Sequence, residues 1–144
     1  VSQWKQQDYD AKITSELNEL NEFFQILKSA GADFLHCSNR RFWEGEFEPN
    51  GLNLAGIAKK ATGLPTISVG SVGLDKDFIK LYAGDHQTQT VDLEILHEKL
   101  NKSEFDLIAV GRALLSDPDW ANKVQDGLEE KIIPFDKSFV ENYV

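Results

Sequence analysis

Two short apolar runs, Thr66-Ile67-Ser68-Val69 and Leu107-Ile108-Ala109-Val110, each end directly on a glycine. They are too short for helices, rich in β-branched residues and bounded by turn formers, which is the pattern of buried strands. Helical spacing fills the intervals around them. Thr14 is an N-cap candidate, followed by Leu17, Leu20, Phe23, Phe24 and Leu27, and Gly31 stops the run. Ala32 to Cys37 reads as a strand. Leu52 to Ala61 reads as a helix stopped by Gly63, with Pro65 ahead of the next strand. Val91 to Leu100 places Leu93, Leu96 and Leu100 on one helical face. Asp117-Pro118 supplies N-cap and N1 residues for a last helix, with Trp120, Val124 and Leu128 on its inner face. Only Asp75 to Gln89 lacks a clear period and reads as a turn or excursion. Strands alternating with helices imply a parallel sheet, because parallel neighbours need a crossover. With Val1 to Lys5 as a further strand, the expectation is four parallel strands near residues 1–5, 33–37, 65–69 and 106–110, side by side in that order.

A glycine just past a buried strand exposes backbone N–H groups with no side chain in front of them, so a phosphate can approach. In a (β/α)₈ barrel a phosphate commonly lies between the turns after strands seven and eight, near a short extra helix. Val69-Gly70-Ser71 and Val110-Gly111-Arg112 fit that order, and Gly111 to Leu115 suits a short helix. Such a barrel takes about 250 residues, and this chain has 144. The fold class expected is therefore α/β, with parallel units forming about half of a TIM barrel, strands five to eight. Without Gly/Ser linkers or low-complexity tracts, residues 1–144 read as one domain with a C-terminal tail from about residue 132.

Hydrophobic residues make up 41% and charged residues 27%, ordinary values for a globular domain. No stretch has the length of a membrane span and no secretory leader is recognisable, so a cytoplasmic location is expected. One cysteine, Cys37, excludes an internal disulfide framework or a multi-cysteine metal site. A net charge of -9 disfavours nucleic acid or an anionic membrane as partner. An anionic cofactor would be held by local amides and one or two cations.

Four segments resemble the old yellow enzyme family of FMN-dependent NAD(P)H oxidoreductases and ene-reductases. They are Ser2 to Lys5, Phe34 to Ser38 with Arg40 to Trp43, Pro65 to Gly73, and Val110 to Asp119. The resemblance implies that backbone amides at Gly70, Ser71, Gly111 and Arg112 hold the FMN phosphate, with the Arg112 guanidinium near the phosphate or flavin edge. It also implies NADH or NADPH as electron donor. The family's flavin-facing arginine would fall just before Val1, and its substrate-binding His-His or His-Asn pair and proton-donating tyrosine belong to an earlier segment. No catalytic residue is therefore assigned within the chain.

The remaining candidates each have a plain alternative. Arg40 and Trp43, in the loop after the second strand, are substrate-contact candidates or parts of an aromatic plug that anchors the loop. His36 reads as a hydrogen-bonded core residue, and Cys37 as a small buried hydrophobe. Glu44, Glu46 and Glu48 read as a solvated acidic strip, and no metal site is expected. Lys5 and Lys12 read as surface charges, with Lys5 also able to face a flavin pocket.

Two classes of function follow. One is the C-terminal half of an FMN-dependent oxidoreductase, completed by an N-terminal half barrel. The other is a non-catalytic half-barrel module that pairs with another copy of itself through open sheet edges.

Overall fold

The computed structural model describes residues 1–5, 8–48, 51–75 and 93–141. Most of the excursion expected over residues 75–89 lies outside them. By its internal contacts the chain divides into two compact units, residues 1–70 with 94–109, and residues 71–93 with 110–144.

The first unit holds two small sheets. β1 (Trp4–Lys5) and β2 (Asp8–Lys12) pair antiparallel, while β3 (Leu35–Ser38), β4 (Thr66–Val69) and β5 (Leu107–Ala109) form a parallel sheet in that order. The parallel register sets Leu35 against Thr66, Ser38 against Val69, and Val69 against Ala109. Side chains alternate faces, as a strand requires. In β3, Leu35 and Cys37 are buried while His36 and Ser38 are exposed. In β4, Thr66 and Ser68 are buried.

Helix α1 (Leu17–Ser29) buries Leu20 and Phe24, spaced one turn apart. Thr14 lies ahead of its first turn, where its hydroxyl accepts the Glu16 N–H at 3.0 Å and donates to Glu19. Helix α2 (Leu54–Thr62) packs on α1 and across β3 and β4. Asn53 caps its start by accepting the Gly56 N–H at 2.9 Å, and Gly63 ends it with φ +70°. Helix α3 (Glu94–Asn101) buries Leu96.

The expected half barrel of four parallel strands is not formed. The first segment makes a single parallel bridge, Ser2 to Ser38, and then turns back on itself. Trp4 pairs with Lys12 and Lys5 with Asp8, giving an antiparallel hairpin instead of a fourth parallel strand. Gln3 holds that turn: it is 2% exposed, and its amide oxygen accepts N–H bonds from Ile13 (3.1 Å) and Thr14 (3.4 Å). Lys12 Nζ sits 4.4 Å above the Trp4 ring. These partners are near in sequence, so the hairpin closes a short loop at little entropic cost.

The second unit contains α4 (Ala113–Ser116), α5 (Trp120–Gln125), a 3₁₀ turn (Glu129–Lys131) and α6 (Ser138–Glu141). Val72, Leu74, Trp120, Ile132 and Phe135 are buried in it. Asp117, expected to cap the last helix, instead ends α4. Its carboxylate is 2% exposed and accepts from Lys123 Nζ at 2.7 Å and the Ile133 N–H at 2.8 Å. Burial pushes this carboxyl up, but Lys123 and the backbone N–H donors outweigh it, so Asp117 titrates below its ordinary range. Among the described residues no helix is long and apolar enough to cross a membrane.

Candidate functional site

In the first unit the chain leaves the C-terminal end of β3 in a loop, residues 39–53, that is fastened to the end of β4. The Asn39 N–H donates to the Val69 carbonyl at 2.7 Å, and the Phe42 N–H to the Gly70 carbonyl at 3.0 Å. Beneath the loop lies a polar network around the buried Ser68 hydroxyl. Asn39 Nδ2 donates to Ser68 Oγ at 2.9 Å, and Asn53 Nδ2 donates to the same oxygen at 3.2 Å and to the Phe42 carbonyl at 2.6 Å. Asn39 Oδ1 accepts the Leu54 N–H at 3.0 Å. Two asparagines thus satisfy backbone groups that a ligand-binding loop would otherwise leave open.

This loop carries Arg40 and Trp43. Trp43 meets Phe42 edge-on, with ring centroids 5.1 Å apart, and the Arg41 guanidinium lies 6.0 Å from the Trp43 centroid. Arg40 is exposed and lines a cavity of about 170 Å³ with Trp4, Asn39, Arg41, Glu44 and Glu46. Trp43 is not among its lining residues. A larger cleft of about 450 Å³, between Leu17, Phe47, Leu52 and Ile57, has a mainly apolar wall.

Glu46 corrects the reading of a solvated acidic strip. Its Oε2 accepts the Trp4 indole N–H at 3.4 Å, while Oε1 is buried and meets no donor among the described residues. Burial holds this carboxyl above its ordinary range, against the Trp4 hydrogen bond and the charge of Lys12. Glu44 pairs with Arg41 at 2.6 Å. No local sequence signal marks Glu46, because its partner Trp4 lies 42 residues away.

Gly70 is buried, at φ +154°, and a Cβ there would lie 2.5 Å from the Asn39 carbonyl oxygen, so a side chain would drive the 39–53 loop away. Ser71 follows at φ +51°, in the left-handed region that costs a non-glycine residue about 1 kcal/mol. In the second unit Gly111 is exposed, and a Cβ there meets nothing within 4 Å. Arg112 is half-buried, with its guanidinium 5.9 Å from the Phe135 ring centroid.

His36 faces solvent, opposite to the core position expected of it, because β3 turns its even-numbered residues outward. Cys37 is fully buried, and burial pushes its thiol up to about 11, the reverse of an activated nucleophile. Among the described residues no cluster of three or more His, Cys, Asp or Glu side chains is placed to hold a metal ion. No protein-family model matches the chain.

Proposed function

We propose that the chain binds FMN as part of an FMN-dependent NAD(P)H oxidoreductase, with Gly70, Ser71, Gly111 and Arg112 gripping the phosphate. One observation carries the reading. β4 and β5 are hydrogen-bonded parallel neighbours with Val69 set against Ala109, so the chain leaves both strands on the carboxyl side of the sheet. In parallel sheets, ligands bind outside the carboxyl ends of the strands.

The residues fit a phosphate in two respects. Neither backbone conformation nor packing requires glycine at Gly111, since a Cβ there has open space and its φ is not positive. Its bare amide leaves room for a phosphate to approach. Arg112 contributes a planar guanidinium suited to phosphate oxygens. FMN held there would supply hydride transfer from NADH or NADPH to an electron-poor acceptor. The chain's own part is to bind and orient, with Arg40 and Trp43 facing the small-molecule substrate, and a partner supplies the remaining flavin contacts.

A second reading, a non-catalytic module that pairs with another copy of itself, draws on the 59% exposure of Leu107 in β5. Titration of FMN into the chain, followed by flavin fluorescence, separates the two. Arg112→Ala should weaken binding by about 1.5–3 kcal/mol. Gly111→Val should weaken it further by obstructing the amides. Unchanged affinity in both variants, or no FMN binding with concentration-dependent dimerisation, rejects the FMN reading.

A further inference from the structure

The larger cleft of the first unit shares no residue with the phosphate site proposed above and does not depend on the FMN reading. Its apolar lining comes from three elements: Leu17 of α1, Phe47 and Leu52 of the loop before α2, and Ile57 of α2. Ile57 is buried and Leu17 is 45% exposed, so an apolar body seated in the cleft would cover Leu17. The spacing of the walls is fixed without a ligand. The Gln25 side-chain amide of α1 donates to the Ala61 carbonyl, and Lys28 Nζ donates to the Thr62 carbonyl at 2.6 Å. The Glu46 N–H donates to the Leu52 carbonyl at 3.0 Å, closing the neck of the loop that carries Phe47. Preformed clefts of roughly 300–1,000 Å³ with apolar walls and a few polar groups are the usual sites of small molecules.

The polar lining residues are Asn21, Glu48 and Lys60. Lys28 and Lys59 nearby have acceptors, whereas the Lys60 ammonium has none among the described residues. The Glu48 carboxylate likewise has no donor there, and the two charges do not pair with each other. A ligand with a single charge would answer one of them and set a like charge beside the other. A zwitterion answers both, and the half-buried Asn21 amide can donate and accept. We propose that this cleft binds a free α-amino acid with a large apolar side chain, its carboxylate at Lys60, its ammonium at Glu48 and its side chain against Phe47, Leu52 and Ile57. A volume of about 450 Å³ takes even an aromatic amino acid. Walls already held in place lower the entropy lost on binding.

The test uses the intact chain and L-phenylalanine as probe, read by the backbone amides of residues 17–21, 47–48 and 57–61 in two-dimensional NMR. Phenylalanine should shift these resonances saturably in the millimolar range, the affinity expected of so small a ligand. Two derivatives each remove one charge: phenylalaninamide, kept at mildly acidic pH so that its amine stays charged, and N-acetylphenylalanine. Each should bind at least about threefold more weakly, as the loss of one exposed ion pair gives. Alanine, without the apolar body, should give no saturable shift. Lys60 and Glu48 are exposed, so either can be replaced without disturbing the core. Lys60→Gln should weaken phenylalanine but not phenylalaninamide, and Glu48→Gln should weaken phenylalanine but not N-acetylphenylalanine. The comparison of ligands needs no variant, so it stands even if a variant unfolds. No saturable shift with phenylalanine overturns the proposal. So does equal binding of phenylalanine and either derivative, or a variant that folds and binds phenylalanine undiminished.

Discussion

Asp106 reaches from the start of β5 to the start of β4, where its Oδ2 accepts the Thr66 N–H at 2.8 Å. Its other oxygen takes the Lys59 ammonium at 2.9 Å, tying α2 to the same point. One carboxylate thus gathers the N-terminal ends of two strands and the last turn of the helix that covers them.

Asp106→Ala should destabilise the first unit by about 1 kcal/mol, a modest figure because the pair is 40% exposed on the carboxylate side and screened by water. Lys59 first, and the Thr66 N–H second, hold this carboxyl below its ordinary range. A carboxyl depressed in the folded state stabilises it above the unfolded value, near about 3.9, and the contribution fades as pH falls through the folded value. Acid titration of the folded fraction by circular dichroism should therefore show a shallower low-pH loss in Asp106→Ala than in the parent. An unchanged acid limb would mean that Asp106 does not link pH to folding.

The parallel sheet was legible because its strands are short apolar runs, β-branched in β4, bordered by Pro65, Gly31 and Gly70. Helix α2 was legible from Leu52 to the stop at Gly63, while its cap at Asn53 emerged only from the structure. The β1–β2 hairpin was not. Its strands are short and polar, and the Trp4–Lys12 pairing that decides it leaves no period to read. The apolar look of the β3 segment also concealed which way His36 points, since period-two alternation needs a known core side before faces can be assigned. At the candidate site the glycines were visible from sequence, whereas the asparagine network and the buried Glu46 depend on partners brought together only by the sheet.

Gly45 should resist replacement by alanine, whereas Gly111 should tolerate it. A Cβ at Gly45 would sit 1.8 Å from the Glu48 carbonyl oxygen, so the 39–53 loop must open to admit it. Overpacking of this kind costs about 1–3 kcal/mol. At Gly111 the Cβ has open space, and the change should fall within about 0.5 kcal/mol of neutral. Urea unfolding of the two variants measures the contrast. Equal stabilities would contradict the tight turn at Gly45.

Cys37 should be inert in the native state. It is fully buried and its thiol is raised to about 11, so almost no thiolate exists near neutral pH. A chromogenic disulfide reagent should label it only at the rate of global opening, and at once in denaturant. Because the folded thiol is the raised one, its stabilising contribution is complete below the unfolded value near about 8.5 and disappears as pH climbs through about 11. Rapid labelling of the native chain would place Cys37 nearer the surface than β3 allows.

Asn53 joins helix, loop and sheet, and its two amide atoms do separable work. The oxygen caps α2 at the Gly56 N–H, while the nitrogen donates to the Phe42 carbonyl and Ser68 Oγ. Asn53→Ala removes both functions in a fully buried position. The lost cap costs about 1 kcal/mol, and the unsatisfied buried carbonyl about 1–3 kcal/mol more. Asn53→Asp keeps the cap and reverses the other end, setting a carboxylate oxygen against the Phe42 carbonyl. If the network beneath the loop matters as much as the cap, Asn53→Asp should be nearly as damaging as Asn53→Ala, and it should broaden the NMR signals of residues 39–46. If Asn53→Asp instead matches the parent in urea unfolding, the capping bond alone holds the start of α2 and the loop stands without the Asn53–Phe42 contact.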